Sequence, residues 1–252
     1  MPEPLTIDCR YSLDADDGFI SDFIMVENAV FGGYFTKNLF THKFQNNIYG
    51  DSIIVVVYQA DGKPVAARAL WRNDIAGKPA YQPGDTCVLK EARGKGIFSD
   101  MTRKAVAMLP ENAIVYNFPN QNSFPGYIKL GWTEKHQYHM VLLTNKAYSR
   151  EHPGEIDSRY FDWWIKDHPA IRFIKRGKSH YAVVPHARKF CFLVIGKISP
   201  EDAKKIKPLH KFGLIFFKSS RRTWYNRAFA TGHAVTTCSD LNYIPAWKID
   251  AL

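Results

Sequence analysis

Cysteine is scarce in this chain and scattered where it occurs. Cys9, Cys87, Cys191 and Cys238 are its four cysteines, and no two stand at C-x-x-C spacing. That pattern argues against a zinc site and against a disulfide framework. The expectation is free, mostly buried thiols in a reducing cytoplasm, and no metal. Long apolar runs are missing too: no window reaches the ~18 uninterrupted apolar residues that a membrane-spanning helix needs. The opening stretch MPEPLTIDCRYSLDADD is polar and acidic, without the apolar core of a secretory signal. Acidic charge is in deficit, with 24 Asp and Glu against 34 Lys and Arg, a net charge of +10. Such an excess points to a polyanionic partner: nucleic acid, an anionic membrane or a phosphorylated small molecule. The basic residues concentrate at Lys90–Lys95, Arg172–Lys178, Lys204–Lys211 and Lys218–Arg227. What is plentiful is apolar: 46% of the 252 residues are hydrophobic, enough for one large α/β domain or two small ones.

Apolar spacing predicts a helix over Gly18–Phe31, ended by Gly32-Gly33, and a second, aromatic helix over Tyr34–Gln45. Ser52–Gln59 reads as a buried strand. Asp61-Gly62 then turns it into a return strand, Lys63–Trp71. A short strand at Thr86–Leu89 is expected after a turn at Gln82-Pro83-Gly84. A helix over Gly96–Leu109 and a strand over Asn112–Phe118 follow, which makes a parallel pair joined by a helix. Ser123–Leu130 reads as helix and His136–Leu143 as strand. The polar stretch Tyr148–Ile156 marks a division into residues 1–146 and 147–252. Beyond it lie an aromatic helix (Tyr160–Lys166), paired strands (His180–Val184 and Phe190–Ile198) and a helix (Pro200–Leu209). Further strands are expected at Leu214–Lys218, Ala234–Cys238 and Ala246–Ile249. The order of the second half echoes the first, as an internal duplication would.

The chemistry is concentrated in two stretches. In Asp85–Asp100, DTCVLKEARGKGIFSD, a strand runs through Arg93-Gly94-Lys95-Gly96 directly into a helix. Glycines at such a turn allow close backbone approach, and the free N–H groups and dipole of the helix start attract an anion. Arg93 and Lys95 add full charges, so the turn is a phosphate cradle. It is neither a GxxxxGK[ST] loop nor a GxGxxG fingerprint. In Tyr116–Trp132, YNFPNQNSFPGYIKLGW, a strand stops at Pro119, and Asn120 and Asn122 bring amides to the point where the chain splays. Splayed parallel strands leave unpaired backbone groups that an extended, amide-bearing ligand can use.

Together the two stretches resemble the signatures of the GNAT N-acetyltransferase superfamily, over roughly residues 50 to 143. Arg93 and Gly96 match its pyrophosphate loop, Q/R-x-x-G-x-G/A, while Phe98 departs from the final Gly or Ala. Asn120, Tyr127, Lys129, Gly131 and Trp132 match its second signature. The wider pattern also resembles long bacterial members linked with polysaccharide or lipopolysaccharide synthesis. The resemblance implies a mixed, splayed central sheet flanked by helices, an α/β (α+β) fold. The C-terminal α/β extension then reads as an acceptor-binding part or a degenerate second GNAT-like half. It implies acetyl-CoA as co-substrate, held by Val88, Leu89, Arg93, Gly94, Lys95, Gly96, Ile97, Phe98, Asn120 and Ser123, and direct attack by an amine in a ternary complex. Val88 and Leu89 would contact the acetyl-pantetheine unit through their backbone, and Tyr127 would protonate the departing thiolate. The acceptor expected is a small-molecule amine such as an amino sugar or nucleotide-linked amino sugar, and a homodimer is the assembly expected. Candidates for the general base are Asp85, Glu91, Glu134, His136, His139, His168 and His180. Tyr160, Trp163 and Trp164 form an aromatic cluster suited to core or to a sugar face. Arg172, Lys175, Arg176, Arg221 and Arg222 are candidates for a nucleotide-sugar diphosphate. The rival readings are another acyl or aminoacyl transferase on a duplicated scaffold, a non-catalytic acetyl-CoA-binding regulator, and a basic nucleic-acid-binding module.

Overall fold

The structure is a computed structural model that describes residues 4–75, 77–143, 154–186, 188–219 and 232–238. In chain order the elements begin with β1 (Thr6–Tyr11), α1 (Asp17–Phe31) and α2 (Lys37–Phe40), followed by a π-helical turn (Thr41–Gln45). β2 (Ile53–Tyr58), β3 (Pro64–Arg72), β4 (Ala80–Val88), a 3₁₀ turn (Lys90–Ala92), α3 (Ile97–Ala107), β5 (Ile114–Asn117), α4 (Phe124–Lys129) and β6 (Thr133–Leu142) come next. Then follow α5 (Ser158–Tyr160), a second π-helical turn (Phe161–Ile165), β7 (Arg172–Arg176), β8 (Ser179–Pro185) and β9 (Cys191–Ile198). The last elements are α6 (Pro200–Ala203), β10 (Leu214–Ser219) and β11 (Gly232–Thr236). They form two compact units. The first holds β1 to β5, α1 to α4 and the end of β11; the second holds residues 118–121, β6 to β10 with α5 and α6, and the start of β11.

In the first unit β1, β2, β3 and β4 form an antiparallel meander. β5 joins β4 in parallel, and β11 closes on β5 antiparallel through Val235↔Asn117 and Thr236↔Tyr116. β2 is buried from Ile53 to Val57 because both faces are covered. Ile53, Val55 and Val57 pack with Ala66 and Leu70 against Ile97, Met101 and Ala105 of α3. The other face takes α1, which packs on β3 and β4. Asp16 caps α1 by accepting the Phe19 N–H at 2.9 Å, and Gly32 ends it at φ 100°. Below α1, Phe23, Phe35, Phe40 and Phe44 form an aromatic cluster with centroids 5.1–6.3 Å apart.

The second unit follows the same plan. Its meander is β7, β8 and β9, β10 is parallel to β9, and β6 is antiparallel to β10. A capped helical turn that widens into a π-helical turn leads into β2 of the first unit (Thr41–Gln45) and into β7 of the second (Phe161–Ile165). The segment that joins β9 to β10 opens with a Ser199 cap on the four-residue α6, where the first unit has its Gly-rich turn.

The mixed, splayed sheet flanked by helices matches the fold class expected, and several local expectations need correction. Gln82-Pro83-Gly84 is no turn. β4 runs straight through it, with Pro83 opposite Leu70 and Gly84 opposite Ala69. The irregularity that Pro and Gly announce is a shift of register between Ala67 and Ala69, and Asp85 beside it sits at φ 45°. β1 was not anticipated, although Ile7, Cys9 and Tyr11 pack on the core in alternation with the charged Asp8 and Arg10. Arg172–Lys178, expected as a basic cluster, forms a strand over Arg172–Arg176 that was not anticipated. The helix over Pro200–Leu209 shrinks to Pro200–Ala203 because residues 207–209 are drawn alongside β7. There Phe173 N–H donates to Lys207 O at 3.0 Å, and Leu209 N–H donates to Phe173 O at 2.9 Å. The aromatic helix expected from Tyr34 starts only at Lys37, after the Thr36 cap. Ala246–Ile249, Arg221, Arg222 and the stretch before Gly154 lie outside the described residues. Among the described residues no helix is long and apolar enough to cross a membrane.

Replacing the fully buried Phe23, which touches the other three rings, with Ala should cost about 3–5 kcal/mol of stability. Urea unfolding measures this. A loss under about 1 kcal/mol would mean that the cluster does not hold α1 on the sheet.

Candidate active site

The two parallel strands of the first unit pair only at Ala80↔Ile114 and Tyr81↔Val115. Two residues on, Pro83 has no N–H to offer β5, and the irregularity around Asp85 bends β4 further. From there β4 pairs with β3 alone. Leu89 N–H donates to Val65 O at 2.9 Å, so the adjacent pair Ala66↔Val88 is a non-hydrogen-bonded pair of the ladder. Val88 therefore turns its own N–H and C=O away from β3, to the side β5 has left. Its C=O accepts Arg93 Nε at 3.0 Å. Leu89, expected to offer its backbone to a ligand, gives its N–H to Val65 O, and its C=O accepts Ala92 N–H at 2.9 Å.

Beyond Val88 the chain passes through the 3₁₀ turn into Arg93-Gly94-Lys95-Gly96. Gly94 and Gly96 sit at φ 80° and 78°, the left-handed region that favours glycine. Gly96 is the residue before α3, and its C=O takes back the N–H groups of Ser99 and Asp100 at 3.0 and 3.2 Å. The N–H groups of Gly94, Lys95, Gly96, Ile97 and Phe98 have no backbone acceptor among the described residues. A run of free amides at the start of an eleven-residue helix, with Arg93 and Lys95 exposed beside it, can bind an anion.

Phe98 fills the place of a small residue for a packing reason. Its ring lies 2.9 Å from where a Cβ on Gly126 would stand, so α4 sits down on it. The same ring covers Arg68, with the guanidinium carbon 4.5 Å from its centroid, and meets Tyr127 edge-on at 5.3 Å. Arg68, on β3, is fully buried and has no carboxylate partner among the described residues. Its Nε donates to Thr86 Oγ1 at 3.0 Å, Nη1 to Thr102 Oγ1, and Nη2 to Tyr127 Oη at 2.6 Å. Asn117 Nδ2, at the end of β5, donates to the same phenolic oxygen at 2.7 Å. Two donors thus fill the acceptor sites of Tyr127 Oη, and its own hydrogen is left to be donated elsewhere. Burial raises the phenol above its usual pKa, and the Arg68 charge opposes that rise. Burial in turn pulls the Arg68 guanidinium down.

A second cluster lies on the α1 side of β4. Lys43 of the first π-helical turn meets Asp85 at 3.1 Å and the Trp71 ring at 5.1 Å. Glu27 of α1 is 1% exposed, and its Oε2 has no hydrogen-bond partner among the described residues. Burial, then the Asp85 charge, pushes its carboxyl up to about 7, against the pull of Lys43. A carboxyl poised there is suited to accept a proton at neutral pH. Cys87 Sγ is not a nucleophile at that pH, since burial pushes its thiol up to about 12.

The other predicted site residues are placed as follows. Ser123 precedes α4, and its C=O accepts the N–H groups of Gly126 and Tyr127. Asn120 is exposed and falls in the second unit, so the amide that reaches Tyr127 is that of Asn117. Of the base candidates, Asp85 is held by Lys43 and Glu91 is exposed against Lys63 at 3.5 Å. Glu134 bonds His233 Nδ1 at 2.7 Å in the second unit, which also holds His136, His139, His168 and His180. Tyr160 is buried beside the half-buried Trp163 and Trp164. Arg68 and Glu27 were not among the sequence candidates. Both carried a signal, since Arg68 shares a strand face with Ala66 and Leu70, and Glu27 stands one helical turn after Phe23. Among the described residues no group of three or more His, Cys, Asp or Glu is placed to hold a metal ion.

No protein-family model and no curated protein matches the sequence. Solved structures do match the fold. A GCN5-related N-acetyltransferase from Kribbella flavida superposes with a TM-score of 0.54 at 13% identity, over 93% of this chain and 71% of that one. A putative acetyltransferase from Pyrococcus horikoshii gives 0.53 at 12% identity, over 95% of this chain and 92% of its own. A probable N-acyltransferase from Enterococcus faecalis V583 gives 0.52 at 12% identity, over 92% and 72%. The chain therefore has the fold of these GNAT-type proteins, across nearly its whole length.

The raised carboxyl of Glu27 makes a stability prediction. Its folded-state pKa of about 7 lies above the ordinary 4.5, so its contribution to stability is present below pH 4.5 and is lost as pH rises through 7. Glu27→Gln should therefore gain stability relative to the parent between pH 5 and pH 8, by an amount on the order of 2–3 kcal/mol. Denaturant titrations at the two pH values check this, and a difference that does not change with pH would contradict it.

Proposed function

We propose that this chain transfers the acetyl group of acetyl-CoA to a primary amine by direct attack in a ternary complex. The observation that carries this reading is the divergence of β4 from β5 beside five free amides at the start of α3. The amides of residues 94–98, with Arg93 and Lys95, suit the diphosphate of coenzyme A. The open edge of β4 suits the amide-bearing pantetheine arm, and the Val88 N–H suits the thioester oxygen, where it would stabilise the oxyanion of the tetrahedral intermediate.

Tyr127 then supplies the proton that the departing thiolate needs. Giving it up leaves a phenolate whose oxygen already receives the Arg68 guanidinium and the Asn117 amide at 2.6 and 2.7 Å. The buried cation thus acquires its counter-charge in the step that needs stabilising. On the other face, Glu27 is the base we assign to the amine proton, since its carboxyl titrates near neutrality. No acyl-enzyme is invoked, in keeping with the raised thiols of Cys9, about 11, and Cys87, about 12. An amino sugar, free or nucleotide-linked, is the acceptor class we favour, from the resemblance to long bacterial GNAT members and from the net charge of +10. A cytoplasmic setting accords with the four free cysteines. The shared strand plan and paired π-helical turns support descent of the two units from one duplicated GNAT-like half. The second has lost the Gly-rich turn.

Thiol release from acetyl-CoA with a panel of amines tests the reading. Tyr127→Phe should lower kcat by roughly 10²-fold and leave acetyl-CoA affinity unchanged. Arg68→Met should lower kcat similarly while keeping stability within about 1 kcal/mol of the parent, because it removes a buried charge that has no anion. Acetyl-CoA that fails to bind, or full activity in Tyr127→Phe, would refute the assignment.

A further inference from the structure

The second unit contains a cavity of about 940 Å³ that the acetyl-transfer reading does not use. That is the size of a small-ligand site. Its lining includes Arg172, His186, Arg188, Lys189, His210 and Lys211, and among the described residues no carboxylate lines it. Burial, and then the charges of Arg188 and Lys218, hold the His186 imidazole below its usual range. Lys218 is itself pushed down to about 8 by burial. An anion in the cavity would relieve this repulsion.

The walls are apolar, and two phenylalanines stand out from them. Phe190 is 77% exposed and Phe212 96% exposed. Neither is on a loose end. Phe190 sits at φ 58°, an unfavourable region for a bulky residue, in a turn closed by Cys191 N–H to Arg188 O at 3.2 Å and His186 N–H to Cys191 O at 2.9 Å. Leu214 N–H donates to Phe190 O at 2.8 Å, which pins the Phe212 segment to the Phe190 turn. Gly213 makes that approach possible, because a Cβ there would lie 2.6 Å from both Phe190 O and the Phe192 ring. Two exposed aromatic faces are thus held beside a basic rim by backbone hydrogen bonds and a strained turn.

We propose that this cavity binds a nucleoside diphosphate, with the base against Phe190 and Phe212 and the phosphates on the basic rim. A flat ring and a compact double negative charge are the two features that the lining offers to pair with. The concave shape favours a small molecule over a strand of nucleic acid or a lipid surface. The inference is drawn from the second unit alone and stands independently of acetyl transfer.

Titration calorimetry on the full chain, with UDP, ADP and inorganic pyrophosphate as probes, tests it. Each titration is repeated in Arg93→Ala, which weakens anion binding at the Gly-rich turn of the first unit. Saturable binding of at least one nucleotide is expected, with pyrophosphate at least tenfold weaker. Phe212→Ala and the double variant Arg188→Ala/Lys189→Ala should each weaken nucleotide binding tenfold or more, and Arg93→Ala should leave it unchanged. These positions are exposed, so circular dichroism should show an unchanged fold. No saturable binding of either nucleotide overturns the proposal, and so does equal affinity in all variants. Loss of binding in Arg93→Ala places the nucleotide on the first unit and also overturns it. Tight binding to phosphatidylserine vesicles that nucleotides do not displace assigns the surface to lipid instead. Should coenzyme A itself fail to bind, the acetyl-transfer reading falls, while the nucleotide titrations still decide this site.

Discussion

The architecture of the first unit turns on β4 being paired along its whole length on one side only. A strand with an open backbone edge inside a sheet is costly, because peptide groups left without partners lose the hydrogen bonds they had in water. Here the opening is written into the chain by Pro83, which cannot donate, and by the irregularity at Asp85. β5 leaves after Tyr81, the Val88 peptide group faces the space it vacates, and the Gly94–Gly96 turn ends that space with unbonded amides. The sheet edge, the turn and the helix start are one continuous polar lining produced by fewer than twenty residues.

The sheet separates two kinds of electrostatic debt. On the α3 face, Arg68 is a cation with no acid beside it among the described residues, held by hydroxyls and aromatic rings. On the α1 face, Glu27 is an acid only partly compensated, because Lys43 is already engaged with Asp85. Neither arrangement is what folding alone would select, since buried charges are tolerated best when fully paired. Both fit the proposed acetyl transfer, in which the negative charge and the proton that would complete each interaction arise only during the reaction.

Much of this was legible in the residues. Glycine spacing located the strand-to-helix turn, Asp61-Gly62 located the β2–β3 hairpin, and Asn117 to Trp132 declared a strand, a break and a short helix. What escaped notice did so for physical reasons. A Pro-Gly pair announces a break in regular backbone, and an irregular strand answers that description as well as a turn does. A π-helical turn has the composition of an α-helix and differs only in which carbonyl each N–H reaches. Asn117 and Asn120 are equivalent as letters, and only the exit direction of β5 decides which one meets Tyr127. Arg68 and Glu27 sat on the apolar faces of their elements, where periodicity does mark them but a search for clustered polar residues passes over them.

The closing strands have a bearing on how the chain acquires its structure. β5 is flanked by β11, and β10 by β6, so each half of the sequence lends a strand to the unit built mainly from the other. A nascent chain emerging from the ribosome can assemble the β1–β4 meander and β5 early, yet the outer edge of β5 waits until more than a hundred further residues have been made. Cutting the gene into its two halves would therefore not yield two finished modules. It would yield two sheets, each with a raw edge, on β5 in one and on β10 in the other.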